Sequence, residues 1–116
     1  MNDKAQLNTK QLNTKQLNTK QVKFLRKLGH SLSPVVTVAD RGLVDTVLAA
    51  IEEALDFHEL IKVKVRMQRD QRAELYQEIC EKTGALQVQT IGMVLLVYKP
   101  SKKSVIDLPG PKVKLK

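Results

Sequence analysis

The stretch VVTVADRGLVDTVLAAIEEALDFHELIKVKVR, from Val35 to Arg66, constrains the fold of this chain more than any other. Its first four residues are Val and Thr, the composition of a short buried strand. After the polar turn Asp40-Arg41-Gly42, the residues Val44, Val47, Leu48, Ile51 and Leu55 recur at i, i+3, i+4, i+7 and i+11. That is the apolar stripe of an amphipathic helix of about four turns. Beyond His58 and Glu59 the period becomes two. Leu60, Lys62, Lys64 and Arg66 fall on one parity and Ile61, Val63 and Val65 on the other, as in a strand covered on one side. Strand, helix and strand in so short a span define a βαβ unit, whose two strands are expected to be parallel.

The turn bears on function. It leads toward a helix N-terminus, where backbone N–H groups lack intrahelical partners and the dipole is positive, a place suited to phosphate oxygens. Gly42 permits close backbone approach, and Arg41 adds a permanent cation. A tight turn needs its glycine with or without a ligand, so these residues alone leave both readings open.

With 116 residues, the chain is expected to form one domain with two tails. Residues 1–17 read as a flexible repeat segment, 18–100 as the folded domain and 101–116 as a flexible basic tail. The net charge of +8 is unevenly distributed. Residues 1–30 hold seven Lys/Arg against one acid and residues 99–116 six against one, whereas 31–98 hold seven against ten. Basic ends around an acidic middle point to a polyanionic partner. The single cysteine, Cys80, excludes an intrachain disulfide, and no apolar run is long enough for a bilayer. A cytoplasmic protein without membrane contact is expected.

Residues 6–20 are QLNTK three times over. Each advance of five residues turns a helix by about 140° net, so Leu7, Leu12 and Leu17 share no face. Asn18 of the third copy and Gln21, just beyond it, have the spacing of a capping box. The helix they open has Val22, Leu25 and Leu28 along an apolar edge, with Phe24 beside them. Lys20, Lys23, Lys27 and His30 form a second edge, flanked by Arg26, and Gly29 and Ser33-Pro34 are expected to end it. The helix of the βαβ unit exposes Glu52, Glu53 and Asp56, a face that repels nucleic acid. A third helix is expected over residues 71–82, with Asp70 as N-cap, Ala73, Tyr76, Ile79 and Cys80 inward and Gly84 as its stop. Cys80 reads there as a small buried apolar residue. Strands at Ala85–Ile91 and Val94–Tyr98, joined at Gly92-Met93, form a hairpin. The order is α-β-α-β-α-β-β, an α/β (α+β) domain with a mixed four-stranded sheet.

The strings LNTKQVKFLRKLGHSLSPVV, GLVDTVLAAIEEALDFHELIKVKV, TGALQVQTIG and MVLLVYKP resemble the YhbY family, bacterial stand-alone forms of the CRM (chloroplast RNA splicing and ribosome maturation) domain. The resemblance runs from about Leu17 to Pro100. It implies a fold similar to the C-terminal domain of translation initiation factor three. It also implies RNA binding and association with precursors of the large ribosomal subunit. The family's RNA surface combines a basic first helix with a Gly-x-x-Gly loop. The resemblance therefore nominates Lys20, Lys23, Arg26, Lys27 and His30 on the helix, and Ala39, Asp40, Arg41 and Gly42 in the loop. Ala39 stands where the first glycine is expected, and a positive φ there would cost on the order of 1 kcal/mol. Asp40 puts a carboxylate near the phosphate position unless it turns to cap the helix, and Met93 stands where a lysine is expected. His58 reads as structural, bonding local carbonyls.

No acid–base constellation, zinc spacing or nucleotide loop is present in the sequence, so no enzyme, cofactor or metal site is expected. The leading expectation is a monomeric RNA-binding ribosome assembly factor. The alternatives are a module that docks on ribosomal proteins through its acidic helix face, and a non-specific nucleic-acid binder.

Overall fold

A computed structural model describes residues 17–110 of the chain. The first two QLNTK copies and the last six residues lie outside the described residues. Asn18 and Gln21 form the capping box: the Asn18 side chain accepts from the Gln21 N–H at 2.8 Å, and the Gln21 side chain accepts from the Asn18 N–H at 2.9 Å. The helix so started, α1, spans Thr19–Gly29. The βαβ unit follows as β1 (Pro34–Val38), α2 (Asp45–His58) and β2 (Leu60–Val65), then α3 (Arg69–Thr83), β3 (Leu86–Ile91) and β4 (Val94–Tyr98). The sheet order is β1-β2-β4-β3, with β1 and β2 parallel and the other pairs antiparallel.

The two parities of β2 face different layers. Ile61, Val63 and Val65 join Val38, Ile51, Leu55, Leu75, Tyr76, Ile79, Cys80, Leu95 and Val97 in a core under α2 and α3. Leu60 joins Leu17, Leu25, Leu86, Val88, Leu96 and Tyr98 in a second cluster under α1. β4 is central and buried on both sides from Leu95 to Tyr98, which accounts for the apolar run there.

Several local expectations are corrected. α3 begins at Arg69 with Gln68 as N-cap, so Asp70 sits in the first turn beside the helix's positive end and caps nothing. Ala73 is exposed and Leu75 takes the inward place. Gly29 is the last residue of α1, as expected, but not as a positive-φ cap: His30 is the C-cap, in a right-handed helical conformation. Gly29 is buried, where a Cβ would lie 2.7 Å from a Leu96 methyl carbon, and Leu28 is 39% exposed. Gly84 stops α3 as expected, with φ +79° and its N–H on the Cys80 carbonyl.

The segment after Pro100 also departs from expectation. Over 101–110 the chain is held against the second cluster, with Ile106 and Leu108 packed on it. The clamp is Glu59, which is 1% exposed. Its carboxyl oxygens accept from the Ser101 N–H (2.6 Å), the Ser101 hydroxyl (3.1 Å) and the Ile106 N–H (2.7 Å). Lys103 Nζ lies 4.0 Å above the Phe57 ring, and the Gln21 amide donates to the Pro109 carbonyl. Leu17, the residue before the capping box, is buried in the same cluster.

Candidate nucleic-acid interface

α1 carries four Lys/Arg and no carboxylate. Its sheet-facing edge is Gln21, Leu25 and Gly29, at i, i+4 and i+8. Lys20, Lys23, Arg26, Lys27 and His30 are all exposed. Arg26 and Lys27 occupy the last turn, where positive charge complements the helix dipole. Among the described residues the one ion pair is Lys82–Glu78 on α3, so no described carboxylate neutralises the α1 edge. The capping box, the Pro109 contact and the Gly29–Leu96 approach fix this cationic edge relative to the sheet.

The loop from β1 to α2 is a tight turn closed by the Gly42 N–H donating to the Ala39 carbonyl at 2.8 Å. Gly42 has φ +75°, which explains its glycine, and a Cβ there would meet nothing within 4 Å. Its outer side is open to a ligand. Ala39 is not among the residues with positive φ, so alanine in place of the first glycine carries no conformational strain.

The turn does not run straight into the helix. Leu43 and Val44 intervene, Val44 is an N-cap with no side-chain bond, and Asp45 occupies the first helical position. Asp40 is exposed and does not cap α2. Two carboxylates therefore stand near the amide end expected to receive phosphate. They make the loop a weaker anion site than the sequence alone implies.

Layering separates the two nominated parts. α1 packs on one face of the sheet, whereas the loop leads from the far end of β1 into α2 on the other face. Asp40 instead lines an open depression with Arg66, Met67, Gln68, Gln71 and Met93. Met93 is held there by the Val65 N–H on its carbonyl, and the Tyr76 hydroxyl donates to the Gly92 carbonyl at 2.9 Å. Arg66, Lys62 and Lys64 were not nominated from the sequence. The signal for them was present, since they share the one parity of β2 that is not wholly apolar.

Of the other side chains with candidate chemistry, Tyr76, Cys80 and Tyr98 are part of the core. Cys80 is buried among apolar groups, and that burial pushes its thiol up to about 12, so it remains protonated at neutral pH. Burial also raises the Tyr76 and Tyr98 phenols. His58 is exposed, its ring 6.4 Å from that of Phe57, and no hydrogen bond joins it to a carbonyl, contrary to expectation. No group of three metal-ligating side chains occurs among the described residues. Nor is any described helix long and apolar enough to cross a membrane.

Fold and surface together define a small mixed α/β domain with an exposed, acid-free cationic edge on a helix packed against a four-stranded sheet. The profile of the CRS1/YhbY (CRM) domain matches residues 17–99, and the chain belongs to that family. It is 49% identical over 88 residues to a Haemophilus influenzae protein named "RNA-binding protein", covering 75% of this chain and 89% of that one. A Pseudomonas aeruginosa relative named "probable RNA-binding protein PA4753" is 45% identical over 82 residues, covering 70% of this chain and 79% of the relative. The solution structure of hypothetical protein SAV1595 from Staphylococcus aureus is similar with a TM-score of 0.69 and 34% identity. The match covers 80% of this chain and 99% of that one.

Proposed function

We propose that the protein binds RNA, and does so as an assembly factor associated with precursors of the large ribosomal subunit. The observation that carries the reading is the exposed α1 edge of Lys20, Lys23, Arg26, Lys27 and His30, unneutralised by any described carboxylate and opposite the buried edge of Gln21, Leu25 and Gly29. The names of the family relatives support RNA as the polyanion. Phosphate contacts dominate in this reading, because the domain has few aromatic rings for stacking bases. The 39–42 loop contributes less, through Arg41 and the bare backbone of Gly42. The protein acts as a monomer in the cytoplasm, without cofactor or catalysis.

The test is the double variant Lys23→Glu, Lys27→Glu. It reverses two exposed charges and is expected to abolish RNA binding with the fold intact. Full affinity in the folded variant would remove α1 from the interface. For the assembly role, crosslinking in cells followed by sequencing of the attached RNA should recover large-subunit rRNA, whereas scattered mRNA would contradict it. Competition with duplex DNA checks the non-specific alternative. Glu52, Glu53 and Asp56 are all exposed on α2, which keeps contact with ribosomal proteins as a second reading. Neutralising the three should weaken ribosomal association and spare free RNA if that reading holds.

A further inference from the structure

α1 covers only part of its face of the sheet. At its C-terminal end Gly29 faces Leu96, the middle residue of β4, and the chain then leaves the face to begin β1 at Pro34. Beyond that contact the register places Thr37 beside Lys64, Lys64 beside Val94 and Val94 beside Ile91, and also Leu96 beside Lys62 and Gln89. Apart from Leu96, which belongs to the second cluster, these side chains are not covered as the core is. Ile91 is 64% exposed, Thr37 is exposed, and Lys62, Lys64, Gln89 and Val94 are half-buried. The strip lies between the two parts nominated from the sequence, because β1 itself runs from the end of α1 to the 39–42 loop.

The strip contains a groove of about 170 Å³ lined by Pro34, Lys62, Gln89, Ile91, Val94 and Leu96. It is far smaller than the roughly 300–1,000 Å³ of drug-sized pockets. It is close to the roughly 150 Å³ cavity that admits a single benzene ring. Its walls are mainly aliphatic, and its polar groups are one ammonium and one amide. No strand of the sheet contains an Asp or Glu, so no strand side chain of this face opposes a polyanion. Lys62 and Lys64 point the same way about 6.6 Å apart, the rise of two strand residues.

We infer that this groove seats one unpaired nucleobase of a single-stranded RNA segment, with Lys62 and Lys64 on the flanking phosphates and the Gln89 amide on the base edge. The inference rests on the RNA-binding reading above and adds to it a preference for unpaired over paired RNA. An aliphatic slot one ring wide accepts a planar base face, and an amide carries both a donor and an acceptor for the base edge. Within a duplex the base faces are stacked and unavailable, so only loops, bulges and ends can enter. The α1 edge, in contrast, grips phosphates of either form.

The experiment uses the full chain with two RNA probes, a short single strand carrying one 2-aminopurine and a duplex of the same sequence. Binding is read by anisotropy and base environment by 2-aminopurine emission. Lys62→Ala and Ile91→Glu are expected to weaken single-strand binding about tenfold and to abolish the emission change, with duplex affinity altered less than twofold. Circular dichroism and thermal melting verify the fold, and Gln89→Ala, at a half-buried site, is a milder variant if Ile91→Glu does not fold. The Lys23→Glu, Lys27→Glu variant should lose both probes. Unchanged single-strand affinity in folded groove variants would overturn the groove while leaving RNA binding standing. A wild-type protein that binds neither probe would overturn the RNA reading itself. Groove variants that alter self-association rather than RNA affinity would assign the face to a second copy and overturn the inference as well.

Discussion

Gly29 and Gly42 are both required, for opposite reasons. At position 29 the obstacle is a neighbour, since a Cβ would lie 2.7 and 2.8 Å from the two Leu96 methyl carbons. Gly29→Ala is therefore expected to cost about 1–3 kcal/mol through overpacking, seen as a lower denaturant midpoint with an unchanged slope. At position 42 there is no neighbour, only φ +75°, and Gly42→Ala should cost about 1 kcal/mol from backbone strain alone. Ala39 makes the complementary case. Its φ is not positive, so a glycine there, as the resemblance implies, gains nothing in the folded state. Ala39→Gly should lower stability by about 0.4–1 kcal/mol by loosening the unfolded chain.

Among the elements, the junction of α2 and β2 breaks a local rule. Helix ends commonly place Gly or Asn in a positive-φ conformation, but here Glu59 has φ 64°. The carboxyl explains the exception: it receives two backbone N–H groups and a hydroxyl from 101–106, and the Glu59 carbonyl accepts from the Lys99 N–H at 2.8 Å. A residue unsuited to its backbone is retained because its side chain satisfies buried donors that would otherwise be orphaned. Glu59→Gln turns one of those acceptor oxygens into a donor facing a donor. It is expected to destabilise by about 1–3 kcal/mol and to speed amide exchange at Ser101 or Ile106 ahead of the sheet. Unaltered exchange at both amides would show that the segment is held by Ile106 and Leu108 instead.

At the scale of the whole molecule, both faces of the sheet contribute to stability, and the buried thiol offers an alkaline probe of the α2–α3 side. The Cys80 thiol is raised from 9.0 to about 12 by burial, with the charge of Glu81 as a second cause. A raised folded-state value means that its contribution is complete below pH 9 and is lost as pH climbs toward 12. The loss is about 1.4 kcal/mol per pH unit across that window. Cys80→Ala should flatten this part of the alkaline unfolding profile while lowering stability at neutral pH through its small cavity. Salt probes the other side. If about five phosphate contacts form, RNA affinity should fall about 100-fold between 50 and 200 mM salt. A flat response would contradict a phosphate-led interface.

The capping box, the βαβ unit, the hairpin and the Gly84 stop were all legible from residues a few positions apart, because caps, turns and periodicity are local physics. The cationic edge of α1 was legible for the same reason, as a pattern at helical spacing. Tertiary structure alone decided how far α1 extends over the sheet. That extent buries Gln21 and Gly29, leaves Leu28 exposed and turns Lys62 and Lys64 from a strand's outer parity into an uncovered cationic strip. It likewise brought Glu59 to Ser101 and Ile106, more than forty residues away. Local rules cannot see such a contact, because it depends on which buried donors two distant segments leave unsatisfied when they meet.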